Sequence, residues 1–147
     1  MRGYYGIGIW HPKADVNVGS LLRSAASLGA AFVFTIGRRY TQEATDTTKA
    51  WRHVPLWHFE AFADLRAALP FHCWLVGIEL DERARPLQTF CHPERAVYLL
   101  GAEDQGLNEA MRAACNELVQ LPGTHCLNVA TAGAIVLYDR VVKRGLA

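Results

Sequence analysis

Runs of apolar residues separated by mixed polar segments recur along the whole chain. Six of these runs have the length and the content of aromatic and β-branched residues that are typical of β-strands. They are Tyr4–Trp10, Ala31–Ile36, Val54–His58, Cys73–Glu79, Ala96–Leu100 and Leu118–Leu121. Helical spacing predicts four helices between and after them, at about Asn17–Leu28, Ala61–Leu69, Asn108–Cys115 and Asn128–Arg144. Because the strands are nearly continuous apolar runs that alternate with helices, we predict an α/β fold, a mostly parallel sheet flanked by helices.

The first predicted helix carries one arginine on its polar side. Asn17 is a favourable N-cap residue, because its side-chain oxygen can accept a hydrogen bond from a free backbone N–H. Leu21, Leu22 and Ala25 fall on one face of this helix, and Arg23 falls on the other. Helical periodicity by itself therefore identifies Arg23 as an ordinary surface charge.

Two polar, glycine-containing loops follow predicted strands. They read GAEDQGL after Leu100 and PGTHC after Leu121. Ligands of parallel α/β sheets bind beyond the carboxyl ends of the strands, where such loops lie. Glu103 and Asp104, with no lysine beside them, argue against a phosphate ligand and fit a cationic or hydroxyl-bearing ligand. The alternative is a solvated turn.

Small and apolar residues make up most of the last predicted helix. The stretch from Val129 to Tyr138 offers few positions that suit water. A helix that is apolar on every side is usually buried. We therefore expect this helix to lie in the middle of the fold, at a subunit interface, or both.

The composition is that of one ordinary globular domain, which we expect to span residues 1–147. No apolar run approaches the roughly 20 residues of a membrane span, and the N-terminus lacks the pattern of a signal peptide. We therefore expect a cytoplasmic protein without a membrane partner, whose four cysteines are reduced thiols. The net charge of +1 argues against a protein that coats nucleic acid nonspecifically, although the excess of arginine over lysine allows a local basic patch.

Three segments together carry a family pattern. The first has the form N-x-G-x-x-x-R-x-A-x-x-x-G and comprises Asn17, Gly19, Arg23, Ala25 and Gly29. The second, a strand that ends in G-x-E-x-x-G-L, comprises Gly101, Glu103, Gly106 and Leu107. The third is an apolar residue, a proline, a short loop and a segment similar to S-L-N-V-S/A, and it comprises Leu121, Pro122, Cys126, Leu127, Asn128, Val129 and Ala130. In this order, and spread over nearly the whole chain, the motifs resemble those of the SpoU–TrmH branch of the SPOUT RNA methyltransferases.

This resemblance implies a SPOUT-type fold with a C-terminal trefoil knot, assembled as a homodimer. It also implies an enzyme that uses S-adenosylmethionine, without a metal, to methylate a ribose 2′-hydroxyl of tRNA or rRNA. The cofactor-binding residues that it implies lie in three loops: Ile78, Glu79, Gly101, Ala102, Glu103, Gly106, Leu121, Cys126 and Leu127.

Arg23 is the main catalytic residue that the resemblance implies. A ribose hydroxyl is a poor nucleophile, and a protonated arginine can stabilise the oxyanion that develops on it. Glu103 and Asn128 would position Arg23 or the ribose, and Asn17 would shape the loop that leads to Arg23.

Basic residues in two places are candidates for RNA contacts. Arg38 and Arg39 follow the second strand and could contact phosphates, and a solvated turn is the alternative for both. Arg52 lies in a segment where aromatic and basic residues mix, between Trp51 and His53. Such a mixture suits base stacking and phosphate contacts, but an ordinary amphipathic edge has the same composition.

The third motif departs from the family at two positions. Cys126 stands where the family usually has a serine, and Ala130 replaces the last serine of the motif. A thiol is a weaker hydrogen-bonding group than a hydroxyl, and a methyl group forms no hydrogen bond. A non-catalytic RNA-binding relative with the same fold is therefore the alternative function.

The histidines and cysteines allow two other kinds of site, a thiol hydrolase site and a zinc site. His125 and Cys126 could serve a thiol hydrolase, but neighbours in sequence seldom point at each other. The pairs His72–Cys73 and Cys91–His92 could bind zinc in a metal-dependent hydrolase, but their spacing matches no common zinc module. We expect no metal site, with Cys73 in the core and the other residues of these pairs in loops.

Overall fold

A seven-stranded sheet forms the centre of the computed structural model, which describes residues 3–41 and 49–145. The strands are β1 (Tyr4–Trp10), β2 (Phe32–Ile36), β3 (Leu56–Phe59), β4 (Trp74–Ile78), β5 (Arg85–Pro86), β6 (Arg95–Leu100) and β7 (Glu117–Gln120). Their spatial order is β3-β2-β1-β6-β4-β7-β5, and every neighbouring pair is parallel. The predicted parallel sheet is confirmed.

Helices cover both faces of this sheet. Those in the described residues are α1 (Asp15–Ser27), α2 (Phe62–Ala68), α3 (Glu109–Ala114) and α4 (Val129–Arg144). On one face, residues of α1 and α4 pack with Ile7 and Tyr98 of the central strands. On the other face, Leu65 of α2 and Met111 of α3 pack with side chains such as Phe32. Burial on both faces explains why the strands read as continuous apolar runs.

Helix α1 begins two residues before the position that the sequence predicts. The prediction that Asn17 is its N-cap is wrong, because the N-cap is Ala14 and the helix starts at Asp15. Asn17 lies in the first turn and is 7% exposed. Its side chain bonds with residues of two other loops, and that requirement overrides its local preference for capping its own helix.

Helix α4 is buried on one side only within a single chain. Gly133, Val136 and Leu137 are buried, and a Cβ atom on Gly133 would lie 2.6 Å from Leu21 Cδ1 of α1. Tyr138, by contrast, is 62% exposed. One face of the helix therefore lies in the middle of the fold, as predicted, and the opposite face does not.

The C-terminal half of α4 is fastened to the segment 87–94, which precedes β6. The Arg140 guanidinium donates hydrogen bonds to the carbonyl oxygens of Pro93 and Glu94, both at 2.7 Å. Lys143 Nζ donates to the carbonyl oxygens of Leu87 and Phe90 at 2.6 and 3.0 Å. Helix α4 and this segment therefore form one packed unit, while the trefoil knot that the family resemblance implies stays a prediction.

Smaller differences from the predicted elements lie at strand ends and in connections. Strand β5 was not predicted, β3 begins at Leu56 instead of Val54, and β7 covers Glu117–Gln120 instead of Leu118–Leu121. The threonine-rich positions 42–48 lie outside the described residues. Within the described ranges, no helix is both long enough and apolar enough to span a membrane.

Candidate active site

A cleft with a volume of about 510 Å³ lies where three loops leave the carboxyl ends of neighbouring strands. The loops follow β4, β6 and β7, and they emerge at the same edge because these strands are parallel. The cleft lining contains all of the residues predicted to bind a cofactor: Ile78, Glu79, Gly101, Ala102, Glu103, Gly106, Leu121, Cys126 and Leu127. The structure thus brings this predicted set together from separate parts of the sequence.

The loop after β6 is held in a tight conformation by Glu79. Gly106 has a φ of 63°, and a Cβ atom at this position would lie 2.3 Å from Glu79 Oε2. The same carboxylate oxygen accepts a hydrogen bond from the backbone N–H of Leu107 at 2.7 Å. Within the loop, the N–H of Gly106 donates to the carbonyl of Ala102 at 2.8 Å. Glycine at 106 is therefore required by both the backbone conformation and the closeness of Glu79.

Arg112 of α3 connects the loop after β4 to the loop after β6. Its Nε donates to the carbonyl oxygen of Leu107 at 2.7 Å, and its guanidinium lies 3.3 Å from Asp81 Oδ2. Arg83 pairs with Asp81 and Glu109 in turn, at 2.9 and 3.0 Å. Hydrogen bonds from Arg83 hold the pKa of Asp81 well below its ordinary value. This network fixes the two loops relative to each other, and the sequence alone did not reveal it.

A polar cluster of Asn17, Glu103 and Asn128 lies beside the cleft. The Asn17 amide donates to Glu103 Oε1, and Asn17 Oδ1 accepts from Asn128 Nδ2 at 3.0 Å. Asn128 Oδ1 accepts from the backbone N–H groups of Ala130 and Thr131 at 2.9 and 3.1 Å, which makes Asn128 the N-cap of α4. Three of the four residues predicted to be catalytic are therefore in direct contact.

Arg23, the fourth predicted catalytic residue, lies apart from this cluster. It is exposed on α1 and is not among the residues that line the cleft. It lies six positions after Asn17, or about 9 Å along the helix axis at 1.5 Å per residue. No described residue forms a hydrogen bond or an ion pair with its guanidinium, so the group is available to a further molecule.

The cleft combines apolar walls with negative charge. Leu80 and Leu127 line it with exposed side chains, which give the cleft apolar surface. Glu79, Glu103 and Asp104 supply carboxylates, and the lining residues of the described ranges include no lysine or arginine. A ligand with an apolar ring and a positive charge suits such a lining better than a phosphate does.

The two departures from the family motif lie in different surroundings. Cys126 is exposed and lines the cleft, so its thiol can meet a ligand. Ala130 is 5% exposed and packs in the core between helices and sheet. The loss of a serine at position 126 therefore bears on the cleft, while the loss at position 130 bears mainly on packing.

The basic residues predicted to bind RNA differ in how firmly they are held. Arg38 donates to the carbonyl oxygen of Pro12 at 2.9 Å and also to that of Lys13. Arg39 pairs with Glu60 at 3.3 Å on the exposed surface. The guanidinium of Arg52 lies over the ring of Trp51, 5.1 Å from its centroid. None of the three lines the cleft.

The alternative sites find no support in the geometry. His125 Nδ1 shares a hydrogen bond with Thr124 Oγ1 at 3.0 Å instead of contacting Cys126. His92 is buried, and its two ring nitrogens are hydrogen-bonded to Tyr98 and Asp139. A zinc ion would need one of these nitrogens as a ligand. Among the residues that the structure describes, no group of three or more His, Cys, Asp and Glu side chains could hold a metal ion.

The chain is similar in sequence to one family model and to several curated proteins. The sequence model of the SpoU rRNA Methylase family matches residues 6–138. The 23S rRNA (guanosine-2′-O-)-methyltransferase RlmB of Acinetobacter baylyi is 28% identical over 138 residues, which cover 87% of this chain and 55% of the relative. RlmB of Salmonella typhi is 30% identical over 136 residues, which cover 87% and 56%. The chain thus spans about half the length of these curated relatives.

Solved structures share the fold over almost the entire chain. The SpoU methyltransferase AviRb from Streptomyces viridochromogenes has a TM-score of 0.83 at 27% identity, over 96% of this chain and 60% of AviRb. AviRb has also been solved in complex with the cofactor AdoMet, and that structure has a TM-score of 0.79 at 26% identity, over 96% and 58%. The A. aeolicus TrmH/SpoU tRNA modifying enzyme has a TM-score of 0.85 at 16% identity, over 95% and 75%, a likeness of fold alone. Since the family pattern extends from β1 into α4, the chain belongs to the SpoU rRNA methylase family.

Proposed function

We propose that this chain binds S-adenosylmethionine and transfers its methyl group to a ribose 2′-hydroxyl of tRNA or rRNA. The observation that carries the proposal is that residues of the second and third family motifs line one cleft of about 510 Å³, and that Asn17 of the first motif is hydrogen-bonded to both of those motifs beside it. The names of the RlmB relatives and the AdoMet complex of AviRb support the same activity.

The chemistry of the cleft fits this cofactor. Exposed leucines such as Leu80 and Leu127 offer apolar surface to an adenine ring, and Gly101 and Gly106 let backbone groups come close to it. Glu79, Glu103 and Asp104 favour a ligand that carries positive charge. When bound, S-adenosylmethionine supplies an electrophilic methyl group on a sulfonium cation.

Residues of this chain would provide the positioning and the charge that the hydroxyl needs. The cluster of Asn17, Glu103 and Asn128 gives amide and carboxylate groups that are fixed relative to the cleft by α1 and α4. Glu103 is exposed beside the cleft and can orient the ribose hydroxyl by accepting its proton in a hydrogen bond. The positive guanidinium of Arg23 would stabilise the negative charge that develops on the ribose oxygen.

A homodimer is part of this proposal. Ile135, Tyr138 and Val142 are exposed, and their spacing puts them in one apolar stripe along α4. A second copy of the chain would cover this stripe. Because Arg23 does not line the cleft of its own chain, its catalytic role also requires a neighbour, either the RNA or the second copy, to bring it to a reacting ribose.

Methyl transfer is tested with the purified chain, tritiated S-adenosylmethionine and total cellular RNA. We expect label in RNA fragments that resist alkaline hydrolysis, because a 2′-O-methyl group blocks cleavage of the adjacent phosphodiester. Arg23→Ala is expected to lower the rate by about 100-fold or more, as the loss of an oxyanion-stabilising group does. Arg66→Gln, an exposed change on α2, serves as the matched control and should leave the rate unchanged. Cofactor binding without any transfer to RNA would favour the non-catalytic RNA-binding alternative.

The oligomeric state is tested by analytical ultracentrifugation. We expect the unaltered chain to sediment as a dimer at micromolar concentration. Tyr138→Glu, which places a charge in the middle of the exposed stripe, is expected to yield monomers with the same circular dichroism spectrum. A monomeric unaltered chain would refute this part of the proposal.

A further inference from the structure

A second pocket, with a volume of about 440 Å³, lies next to the cofactor cleft. The two cavities share one wall, formed by Ala102, Asp104 and Gln105 of the loop after β6. The opposite wall comes from the ends of β1 and β2 and includes Trp10, His11, Lys13 and Arg38. A group seated in this pocket is therefore separated from a ligand of the cleft only by that loop.

Aromatic rings form one side of the pocket. The rings of Trp10 and His11 meet edge to face with their centroids 4.6 Å apart. His11 has a φ of 49°, and its imidazole lies against Gly37, where a Cβ atom would be 2.5 Å from His11 Nε2. The backbone N–H of His11 donates to the carbonyl of Ile36 at 2.8 Å. An exposed ring in a fixed place, beside a partly buried indole, is a surface on which a planar base can stack.

Charged groups lie at the mouth of the same pocket. Lys13 Nζ is 2.7 Å from Asp104 Oδ2, with the two side chains 54% and 45% exposed. Arg38 adds a second cation, which the carbonyl oxygens of Pro12 and Lys13 hold in place. Exposed ion pairs contribute little to stability, so a phosphate can replace Asp104 as the partner of Lys13 at small cost. Asp104 would then be free to accept a hydrogen bond from a base.

We propose that this pocket binds the RNA nucleotide that carries the target ribose, with its base against His11 and Trp10 and a phosphate on Lys13 and Arg38. The inference rests on the proposed methyl transfer to a ribose hydroxyl. It goes beyond that proposal by naming the place where the target nucleotide is bound. The ribose of this nucleotide then extends past the edge of the shared wall and into the cleft, where its hydroxyl can meet the methyl group of the cofactor.

Two substitutions at exposed positions test the pocket. His11→Asn removes the ring but suits a positive φ, which asparagine tolerates better than most residues, and Lys13→Gln removes the cation. His72→Asn is a closely matched control, because His72 is also exposed, has a φ of 56° and meets Phe71 edge to face at 4.0 Å, but lies at the amino end of β4. Arg66→Gln is the control for the loss of charge.

The two readouts are the KM for RNA in methyl transfer and the Kd for S-adenosylmethionine by calorimetry. His11→Asn is expected to raise the KM for RNA by about fivefold or more, the effect of one lost stacking contact. Lys13→Gln is expected to raise it as well, because a contact with a phosphate is lost. The Kd for the cofactor should stay within about twofold, and both controls should match the unaltered chain. Pocket variants that behave like the controls in an otherwise active chain would overturn the proposal.

A binding measurement separates this proposal from the proposed activity. Fluorescence anisotropy with a fluorescein-labelled single-stranded RNA of twelve nucleotides needs no methyl transfer. If the unaltered chain transfers no methyl group, weaker RNA binding by His11→Asn and Lys13→Gln, but not by the controls, still supports the pocket. Equal affinities of all variants, or equal losses in pocket and control variants, would refute it.

Discussion

The side chain of Asn17 joins two loops that are distant in the sequence. Its amide donates to Glu103 and its oxygen accepts from Asn128, which in turn caps α4. Asn17 is buried, whereas Glu103 and Asn128 are exposed, so Asn17 anchors two surface side chains to the body of α1. The residue therefore couples the stability of the fold to the geometry of the candidate site.

Asn17→Ala is expected to lower the free energy of unfolding by about 1–3 kcal/mol, because two side-chain hydrogen bonds are lost, one of them to a carboxylate. Methyl transfer should fall as well, because Glu103 and Asn128 lose their common partner. Urea unfolding and initial rates measure the two effects. Ser20→Ala, an exposed change one turn further along α1, should leave both unchanged, and a similar loss in both variants would contradict the proposed role of Asn17.

A buried chain of hydrogen bonds links the segment before β6 to α4. Arg140 donates to Tyr98 Oη at 2.9 Å, Tyr98 Oη lies 2.6 Å from His92 Nδ1, and His92 Nε2 lies 2.8 Å from Asp139 Oδ2. Burial raises the pKa of Tyr98 to about 12, so its hydroxyl keeps its proton. With Tyr98 donating to His92 Nδ1, the imidazole is neutral and donates from Nε2 to Asp139.

His92 makes the stability of the chain depend on pH. Burial is the main cause that lowers its pKa below the ordinary value of 6.5, and the charges of Arg140 and Lys143 lower it further against the opposing effect of Asp139. The unfolded chain therefore binds a proton more readily than the folded chain does, and stability is lost as the pH falls below about 6.5. Urea unfolding between pH 7 and pH 5 measures the slope. His92→Phe, which cannot titrate, should flatten it, and identical slopes would contradict this assignment.

At the scale of elements, α1 and α4 approach closely because Gly133 has no side chain. A Cβ atom at this position would lie 2.6 Å from Leu21 Cδ1 and 3.0 Å from Leu100 Cδ1. Gly19 of α1 offers a contrast, because the nearest described atom to a Cβ there is Tyr40 Oη at 3.4 Å. Helix propensity favours alanine at both positions, but only one of them has room for it.

Gly133→Ala is expected to destabilise the chain by about 1–3 kcal/mol through overpacking. Gly19→Ala should be neutral or stabilise it by up to about 1 kcal/mol, because alanine is the better helix former. Thermal and urea unfolding of the two variants measure the change in the free energy of unfolding. A stabilised Gly133→Ala variant would show that the interface between α1 and α4 has room for a methyl group.

The sequence predicts the long elements well. It predicts poorly the short elements and those whose ends depend on contacts with distant residues. The apolar runs of β1, β2 and β6 have a single interpretation because both faces of each strand are buried. Strand β5 consists of Arg85 and Pro86, which are exposed and pair with β7 through the backbone, so no hydrophobic signal marks it. The start of α1 was missed because the distant partners of Asn17 are invisible in the local sequence.

At the scale of the whole molecule, the cleft exists only when three loops assemble. The second and third motifs located the loops after β6 and β7, because these motifs contain residues that line the cleft, and the family resemblance implied the loop after β4. The network of Arg112, Asp81 and Arg83 that fixes the loops has no such signature, since exposed charged residues look alike in any sequence. The same holds for Arg140, whose burial inside an amphipathic helix depends on carbonyl oxygens about 46 positions away.

The cleft exists only in the folded chain, so the cofactor binds the folded state and not the unfolded state. Its binding should therefore raise the free energy of unfolding of the whole molecule. S-adenosylmethionine at 100 times its Kd is expected to raise the free energy of unfolding by about 2.7 kcal/mol. Gly106→Val should abolish this gain, since the positive φ and the nearby Glu79 carboxylate leave no room for a side chain. Thermal unfolding with and without the cofactor measures the effect. A full gain in Gly106→Val would place the binding site elsewhere.

The thiol of Cys126 gives this cleft a chemical property that a serine in the same place would lack. It is exposed and faces a cavity large enough for a small molecule. A cofactor mimic that carries a mild electrophile, such as an acrylamide, could bond covalently to this sulfur. A serine in the same place is a much weaker nucleophile, so such a compound would distinguish this chain from relatives that carry the usual serine.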